Sequence, residues 1–347
     1  DNGIKQTLNL IKEKKDAEFP TGYSAAGIVI ATGSDIRDFT KGDKVACAGG
    51  EYAYHAEYIR VTENLCVKIP SDVSFEEASS ITLGAIALQG IRRAKPTLGE
   101  TFCVLGLGIL GQITTQILKA NGCKVIGSDL DKFKIKKALS LGMDFGFNPD
   151  EVENESIARI TDGYGVDGVI ITAATSSDDI ISKAFQICRK KGRVILVGDV
   201  GLNLNREDFY SKEIDFLIST SYGPGRYDSQ YEENGLDYPI GYVRWTENRN
   251  MKEYLNLLSK KSIKIIPLIT DRYPIEQSSS AFKKIESENK PLLLVITYPK
   301  FKNNNIFSDK KLIINSNFKV DKSKLIFGII GGGSFARSSH LPNIKML

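Results

Sequence analysis

The chain has 347 residues, 41% apolar and 25% charged, with 46 Lys and Arg against 42 Asp and Glu for a net charge of +4. That length suffices for two or more domains with cores of their own. The near balance of charge argues against a nucleic-acid partner, which needs a clustered basic face, and no apolar run reaches the roughly 18 residues of a membrane span.

The opening Asp1-Asn2-Gly3-Ile4-Lys5 has no initiator Met and no signal-like apolar core, and residues 4–15 read as helix. Residues 1–95 are otherwise strand-like and turn-rich. β-Branched runs at 28–30 and 44–46 are punctuated by turn chemistry at Thr32-Gly33-Ser34 and Lys41-Gly42-Asp43, and a further strand leads through a turn into Leu65-Cys66-Val67. This predicts a small β-barrel or sandwich. The five cysteines (Cys47, Cys66, Cys103, Cys123, Cys188) stand singly with no C-x-x-C pair, which reads as reduced thiols in a cytoplasmic protein rather than a disulfide framework.

From Glu100 the texture changes. Apolar runs at 102–105, 124–126, 168–172 and 193–197 alternate with helical patterns such as Leu110, Ile113, Ile117 and Leu118. Such alternation predicts a parallel sheet with helices on both faces. Residues 203–247 are irregular and aromatic-rich; a helix at 250–260 and strand-like runs at 263–268 and 292–297 follow. Residues 301–322, rich in Lys, Asn and Ser, read as a linker. Residues 323–347 open a second strand-to-glycine-turn pattern, KLIFGIIGGGSFA.

The stretch TFCVLGLGILGQITTQILKANGCKVIGSD carries the main chemistry. Strand, Gly106-x-Gly108-x-x-Gly111, helix, second strand and Asp129 occur in the order of a dinucleotide-binding unit. Gly106 permits the tight turn, Gly108 lets the backbone approach a pyrophosphate, and Gly111 lets the helix pack on the sheet. With Ile109 and Leu110 they form the candidate phosphate turn, whose free N–H groups and helix dipole favour an anion. Asp129 would accept hydrogen bonds from the adenosine ribose and repel a 2′-phosphate, favouring NAD over NADP; Lys134 is a basic candidate on the following loop.

This order resembles the medium-chain dehydrogenase/reductases, which include the zinc alcohol dehydrogenases. GYSAAGIVIATGSDIRDFTKGDKVA is similar to that family's G-H-E-x-x-G-x-V block and G-D-x-V turn, TLGAIALQGIRRA to the helix leading to the cofactor domain, and GVDGVIITAAT and KGRVILVGDVG to later nucleotide-domain strands. The resemblance implies an α/β fold: a Rossmann doubly wound parallel sheet at 96–262, and a partial GroES-like β-barrel at 1–95 to which 263–300 returns. It also implies that Thr172, Ala173, Gly198, Asp199 and Val200 lie near the nicotinamide. Gly328, Gly331, Gly333 and Ala336 resemble the opening of the Gfo/Idh/MocA sugar oxidoreductases. The two in this order resemble bi-domain oxidoreductases of polysaccharide biosynthesis, so the chain reads as a fragment of a longer enzyme, with an incomplete barrel and a second Rossmann unit that is only begun.

Where the family holds catalytic zinc with Cys, His and Cys, the His position is Tyr23 here, the following acid is Ser24, and the later Cys falls at about Thr82. The expectation is therefore no zinc. Tyr23 then stands either as a proton donor or as a barrel tyrosine capping the turn after Pro20, and His55 as a surface or a catalytic imidazole. Tyr222, Tyr227, Tyr231, Tyr238, Tyr242 and Trp245 suit either sugar stacking or a self-packed lid. The function implied is a zinc-independent, NAD-dependent oxidoreductase acting on a hydroxyl or carbonyl of a small sugar-like substrate, with no nucleic-acid or membrane partner. A homo-oligomer is left open. Quinone or enone reduction, and a non-catalytic nucleotide-binding fragment, are the other readings.

Overall fold

The computed structural model describes residues 20–149, 154–287, 290–299 and 336–345. The chain divides into two units, residues 1–299 and 300–347. In the first, β1 (Ser24–Ile28), β2 (Lys44–Ala48) and β3 (Cys66–Lys68) form an antiparallel sheet in that order. Strand alternation sends neighbours of β2 to opposite faces. Ala46 and Ala48 join the main core with Leu65 and Val67, while Val45 and Cys47 pack with Ala53 in a smaller one. The first strand lies earlier than the apolar run at 28–30 suggests. Val29 instead bonds across the Lys41-Gly42-Asp43 turn, its N–H donating to Asp43 at 2.9 Å and its carbonyl accepting from Gly42 at 2.8 Å.

Helix α1 (Phe75–Ala78) starts at a reciprocal cap in which Ser74 and Glu77 satisfy each other's backbone N–H groups. Helix α2 (Ile81–Ala94) leads to the central sheet, and its apolar stripe of Ile81, Ala85, Leu88 and Ile91 is buried.

Six parallel strands follow: β4 (Thr101–Leu105), β5 (Lys124–Ser128), β6 (Phe145–Phe147), β7 (Val166–Ile171), β9 (Cys188–Leu196) and β11 (Asp215–Ile218), with the two-residue β8 (Ala174–Thr175) and β10 (Asp199–Val200) between them. The sheet order is β11-β9-β7-β4-β5-β6. Strand order reverses between β4 and β7, so the crevice at their carboxyl ends is the expected ligand position. Burial on both faces explains the near-continuous apolar runs: Phe102 and Val104 enter one core, Cys103 and Leu105 the other. The edge strand β11 falls inside the stretch expected to be irregular. It is only half-buried and opens on Asp215, so it has little apolar pattern to read.

Helices α3 (Ile109–Ala120), α4 (Lys132–Ser140), α5 (Asn154–Ile160) and α6 (Asp179–Ile187) connect the strands. After β11 come the short helix at Ser229–Glu232 and the helix Glu247–Ser259. The expected strand at 263–268 is corrected: Pro267 sits in a 3-10 turn, Ile266–Leu268, and the strand is Ile269–Pro274, paired in parallel with Leu293–Thr297.

In the second unit, Ala336–His340 is π-helical and Leu341–Lys345 α-helical. The helix expected at 4–15, the linker at 301–322, Gly328, Gly331 and Gly333 lie outside the described residues. Among the described residues no helix is long and apolar enough to cross a membrane.

Candidate active site

The glycine turn leaves β4 at the switch point. Gly106 has φ +94°, and a Cβ there would meet the Ala173 backbone nitrogen at 2.6 Å. A Cβ on Gly111 would lie 2.0 Å from the Gly106 carbonyl oxygen, so the helix can approach the strand only with glycine there. Around Gly108 nothing lies within 4 Å of a Cβ, which leaves the start of α3 open. Gly108 is the N-cap and its end of α3 carries no side-chain cap. The first N–H groups, those of Ile109 and Leu110 among them, therefore have no side-chain cap and could receive an anion.

Hydrogen bonds knit the other strand ends to this turn. Thr172 N–H and Ala173 N–H donate to the Leu105 carbonyl at 2.9 and 3.1 Å, and the Thr172 hydroxyl donates to the Gly106 carbonyl at 2.6 Å. Gly198 N–H donates to Ile171 at 2.9 Å and Asp199 N–H to Ala173 at 3.1 Å. Gly106, Thr172, Ala173, Gly198 and Asp199 are thus brought together. Val200 differs, because its side chain is buried in the core beside Ile181 and Leu196.

Asp129 sits at the end of β5. Its carboxylate accepts the Leu107 N–H at 2.7 Å and the Asp131 N–H at 2.9 Å, and pairs with Lys134 at 3.6 Å. The two N–H groups take two of about four lone-pair sites, so the carboxylate keeps acceptor capacity beside the Lys134 ammonium. The sequence does not announce two further parts. Leu107 links the glycine turn to Asp129, and buried Gln112 donates to the Leu107 and Lys134 carbonyls at 3.0 and 2.8 Å. The one signal for Gln112 is an amide side chain directly after Gly111.

Tyr23, Ser24 and Thr82, the three positions singled out as departures, do meet. The Thr82 hydroxyl donates to the Tyr23 carbonyl at 2.8 Å, and the Thr82 N–H to the Ser24 hydroxyl at 3.2 Å. The Tyr23 side chain is 47% exposed, and partial burial raises its phenol above the ordinary range, so it is protonated at neutral pH. His55 stands close by. Its N–H donates to the Thr21 carbonyl at 2.7 Å, its ring lies against Gly22, and burial lowers its pKa. A cleft of about 410 Å³ runs from Pro20 to Glu51, Tyr52 and Tyr54. A larger one of about 680 Å³ shares those last three residues and continues to Tyr58, Thr62 and Glu233.

The aromatic segment packs mainly on itself. Tyr222 and Tyr231 are buried, and Tyr231 stacks on Tyr238 with ring centres 5.3 Å apart. Trp245 lies beneath two guanidinium groups, Arg92 at 3.4 Å and Arg244 at 3.8 Å. Arg226 pairs with Glu232 at 2.7 Å. Beside them Glu247 is fully buried, and desolvation, helped by Glu232, pushes its carboxyl up to about 9.

Two family models match the sequence: "Alcohol dehydrogenase GroES-like domain" over residues 4–71 and "Zinc-binding dehydrogenase" over residues 110–235. Sorbitol dehydrogenase of Bacillus subtilis (strain 168) is 25% identical over 323 residues, covering 84% of this chain and 83% of its own. That of Ovis aries is 24% identical over 294 residues, 76% of each. The solved structure of galactitol-1-phosphate dehydrogenase from Escherichia coli is similar at a TM-score of 0.66 and 19% identity, over 80% of this chain and 85% of that one.

The chain is a medium-chain dehydrogenase/reductase.

As a medium-chain dehydrogenase/reductase it is an oxidoreductase, with the doubly wound sheet and GroES-like part expected. The zinc-free expectation is corrected, since the family model matching the cofactor region of this medium-chain dehydrogenase/reductase is that of a zinc-binding dehydrogenase. That expectation rested on the side chains at Tyr23, Ser24 and Thr82, with no cysteine before Tyr23 and no four-cysteine lobe in the sequence. Even so, those positions supply no thiolate or imidazole, and among the described residues no group of three or more His, Cys, Asp or Glu is placed to hold a metal ion. The described residues do not fit a zinc ligand set, so no chemical step is routed through one.

Proposed function

We propose that this oxidoreductase binds NAD at the Gly106–Gly111 turn and exchanges hydride with the hydroxyl- or carbonyl-bearing carbon of a neutral, sugar-like substrate. The single observation that carries the cofactor half is the Leu107–Asp129–Lys134 link, which sets a carboxylate with free acceptor capacity beside an uncapped helix start at the switch point. NAD when bound supplies the hydride chemistry. The chain's own work is to hold the pyrophosphate on the α3 N–H groups, seat the ribose on Asp129, and manage a proton. The Tyr23 phenol, protonated and half-exposed a few residues after Pro20 of the smaller cleft, is assigned as proton donor to a carbonyl oxygen.

The joined clefts support this substrate class. Tyr52, Tyr54 and Tyr58 offer aromatic faces to the C–H surface of a sugar, and Glu51 and Glu233 offer acceptors to its hydroxyls. Two carboxylates against the one lining cation, Arg60, disfavour a phosphorylated substrate. The sorbitol dehydrogenase relatives and the resemblance of residues 328–336 to sugar oxidoreductases support the same class. The domain assignment proposed with it is a barrel part up to residue 95, to which 263–299 returns, and a cofactor domain at 96–262.

Fluorescence titration with NADH and NADPH, followed by turnover of NAD with sorbitol and other neutral polyols, tests this. Tight NADH binding is expected. Tyr23→Phe should turn substrate over more slowly by roughly two orders of magnitude or more, within the usual range for a lost general acid. Binding without turnover of any polyol or its ketose would defeat the substrate reading, and undiminished turnover in Tyr23→Phe would defeat the proton-donor role.

A further inference from the structure

Cys47 on β2 and Cys66 on β3 are direct cross-strand partners, with Sγ atoms 3.8 Å apart. Along the chain 19 positions separate these thiols; the antiparallel register brings them together. Directly paired residues of an antiparallel ladder have Cα atoms about 4.5–5.5 Å apart, inside the range a disulfide spans. Closing the pair needs the sulfurs to approach by roughly 1.8 Å, a matter of side-chain rotation. The other three cysteines, Cys103, Cys123 and Cys188, are all buried.

We infer that Cys47 and Cys66 form a reversible disulfide by exchange with a low-molecular-weight disulfide such as oxidised glutathione. Cys66 is the entry point because it is partly exposed, whereas Cys47 is 4% exposed. The hydrogen bond to Cys66 and then burial hold the Cys47 thiol well above the usual range, which makes it the poorer first nucleophile. The Cys66 thiolate attacks one glutathione sulfur, forming a mixed disulfide and releasing one glutathione. The Cys47 thiolate then attacks Cys66 Sγ, forming the protein disulfide and releasing the second. Two protein thiols give up two protons and two electrons, and one glutathione disulfide becomes two glutathiones.

The bond would staple β2 to β3 immediately before the turn at Gly49, whose neighbours Glu51 and Tyr52 line both clefts. Oxidation therefore acts on the mouth of the substrate cleft and leaves the cofactor turn alone.

The test treats the full chain, native and reduced, with excess oxidised glutathione at about pH 8.5, where thiols begin to ionise. Peptide mass mapping and alkylation then follow. The expected product is a Cys47–Cys66 linked peptide, two hydrogens lighter than the reduced pair, restored by dithiothreitol, with the other three thiols still alkylated after unfolding. In Cys47→Ser a stable glutathione adduct should accumulate on Cys66, and in Cys66→Ser neither product should form. A persistent glutathione adduct on wild-type Cys66, linkage to any other cysteine, or full retention of both thiols would each overturn the inference.

Discussion

Asp129→Asn probes the cofactor site most directly. The carboxylate serves two backbone N–H groups, those of Leu107 and Asp131, and pairs with Lys134. An amide of the same shape has one acceptor oxygen and turns its NH₂ toward the other donor. Replacing a charge-assisted hydrogen bond with an unmet donor costs about 1–3 kcal/mol, and with the side chain 12% exposed solvent recovers little of it. At roughly 1–3 °C per kcal/mol for a chain longer than 250 residues, Tm should fall by about 1–9 °C. A ribose hydroxyl that loses a charged acceptor gives up about 1–2 kcal/mol, so NADH should bind roughly 5–30-fold more weakly. A 2′-phosphate gains instead. Two unit charges about 4 Å apart repel by about 4 kcal/mol at an effective dielectric of 20. Lys134 cancels much of this in the wild type, leaving about 1–2 kcal/mol in favour of NADPH once the carboxylate is neutralised. The NADH-to-NADPH affinity ratio should fall by roughly 100-fold, read by fluorescence titration of both nucleotides. A variant with native circular dichroism and an unchanged ratio would refute the assignment of Asp129 to the ribose.

Gly111→Ala places a methyl 2.0 Å from the Gly106 carbonyl oxygen, so the strand-to-helix turn must open; NADH binding should be lost and Tm should drop by several degrees, and normal binding would contradict the close approach. Glu247 has its pKa raised from 4.5 to about 9, so the stability linked to its bound proton is fully present below about 4.5 and is lost as pH climbs toward 9. Glu247→Gln should flatten that decline in chemical denaturation and be the more stable protein at about pH 8.5, by an amount on the order of a few kcal/mol. Arg193 meets Glu100, the carbonyls of Ala94 and Asp167, and the face of Phe102; Arg193→Ala should cost about 3 kcal/mol in urea unfolding without changing the nucleotide preference.

The four inner strands β4, β5, β7 and β9 were legible because their runs are buried on both faces and therefore apolar, and because Gly106, Gly108 and Gly111 mark a turn with few alternatives. The edge strands β6 and β11 were not, since an edge strand half in solvent needs no apolar pattern. The run at 263–268 misled because Ile263, Ile265 and Leu268 are buried as a strand's would be, while Pro267 directs the backbone into a turn. At the site, the glycines and Asp129 could be read from spacing along one βαβ unit. The role of Gln112, the meeting of Tyr23 with Thr82, and the Cys47–Cys66 pair could not. Each depends on register or on a contact between segments far apart in the chain.

One contact bears on how the molecule can move. Asn248, buried at the start of the helix Glu247–Ser259, donates to the carbonyls of Asn64 at 2.8 Å and Cys66 at 3.1 Å, while Asn64 donates to the Tyr231 carbonyl at 2.8 Å. On the same helix the hydroxyls of Tyr254 and Ser80 lie 2.7 Å apart. The three-stranded sheet, the aromatic segment and this helix are therefore clamped as one body. A swing that parted the sheet from the segment would strand several buried polar groups at once. The segment from Tyr54 to Tyr58 takes no part in these bonds, and its His55 N–H holds Thr21 instead. Its ties run to Thr21 and, through the His55 ring edge-on at 6.3 Å, to Phe282, so this wall of the clefts stands on supports separate from the clamp.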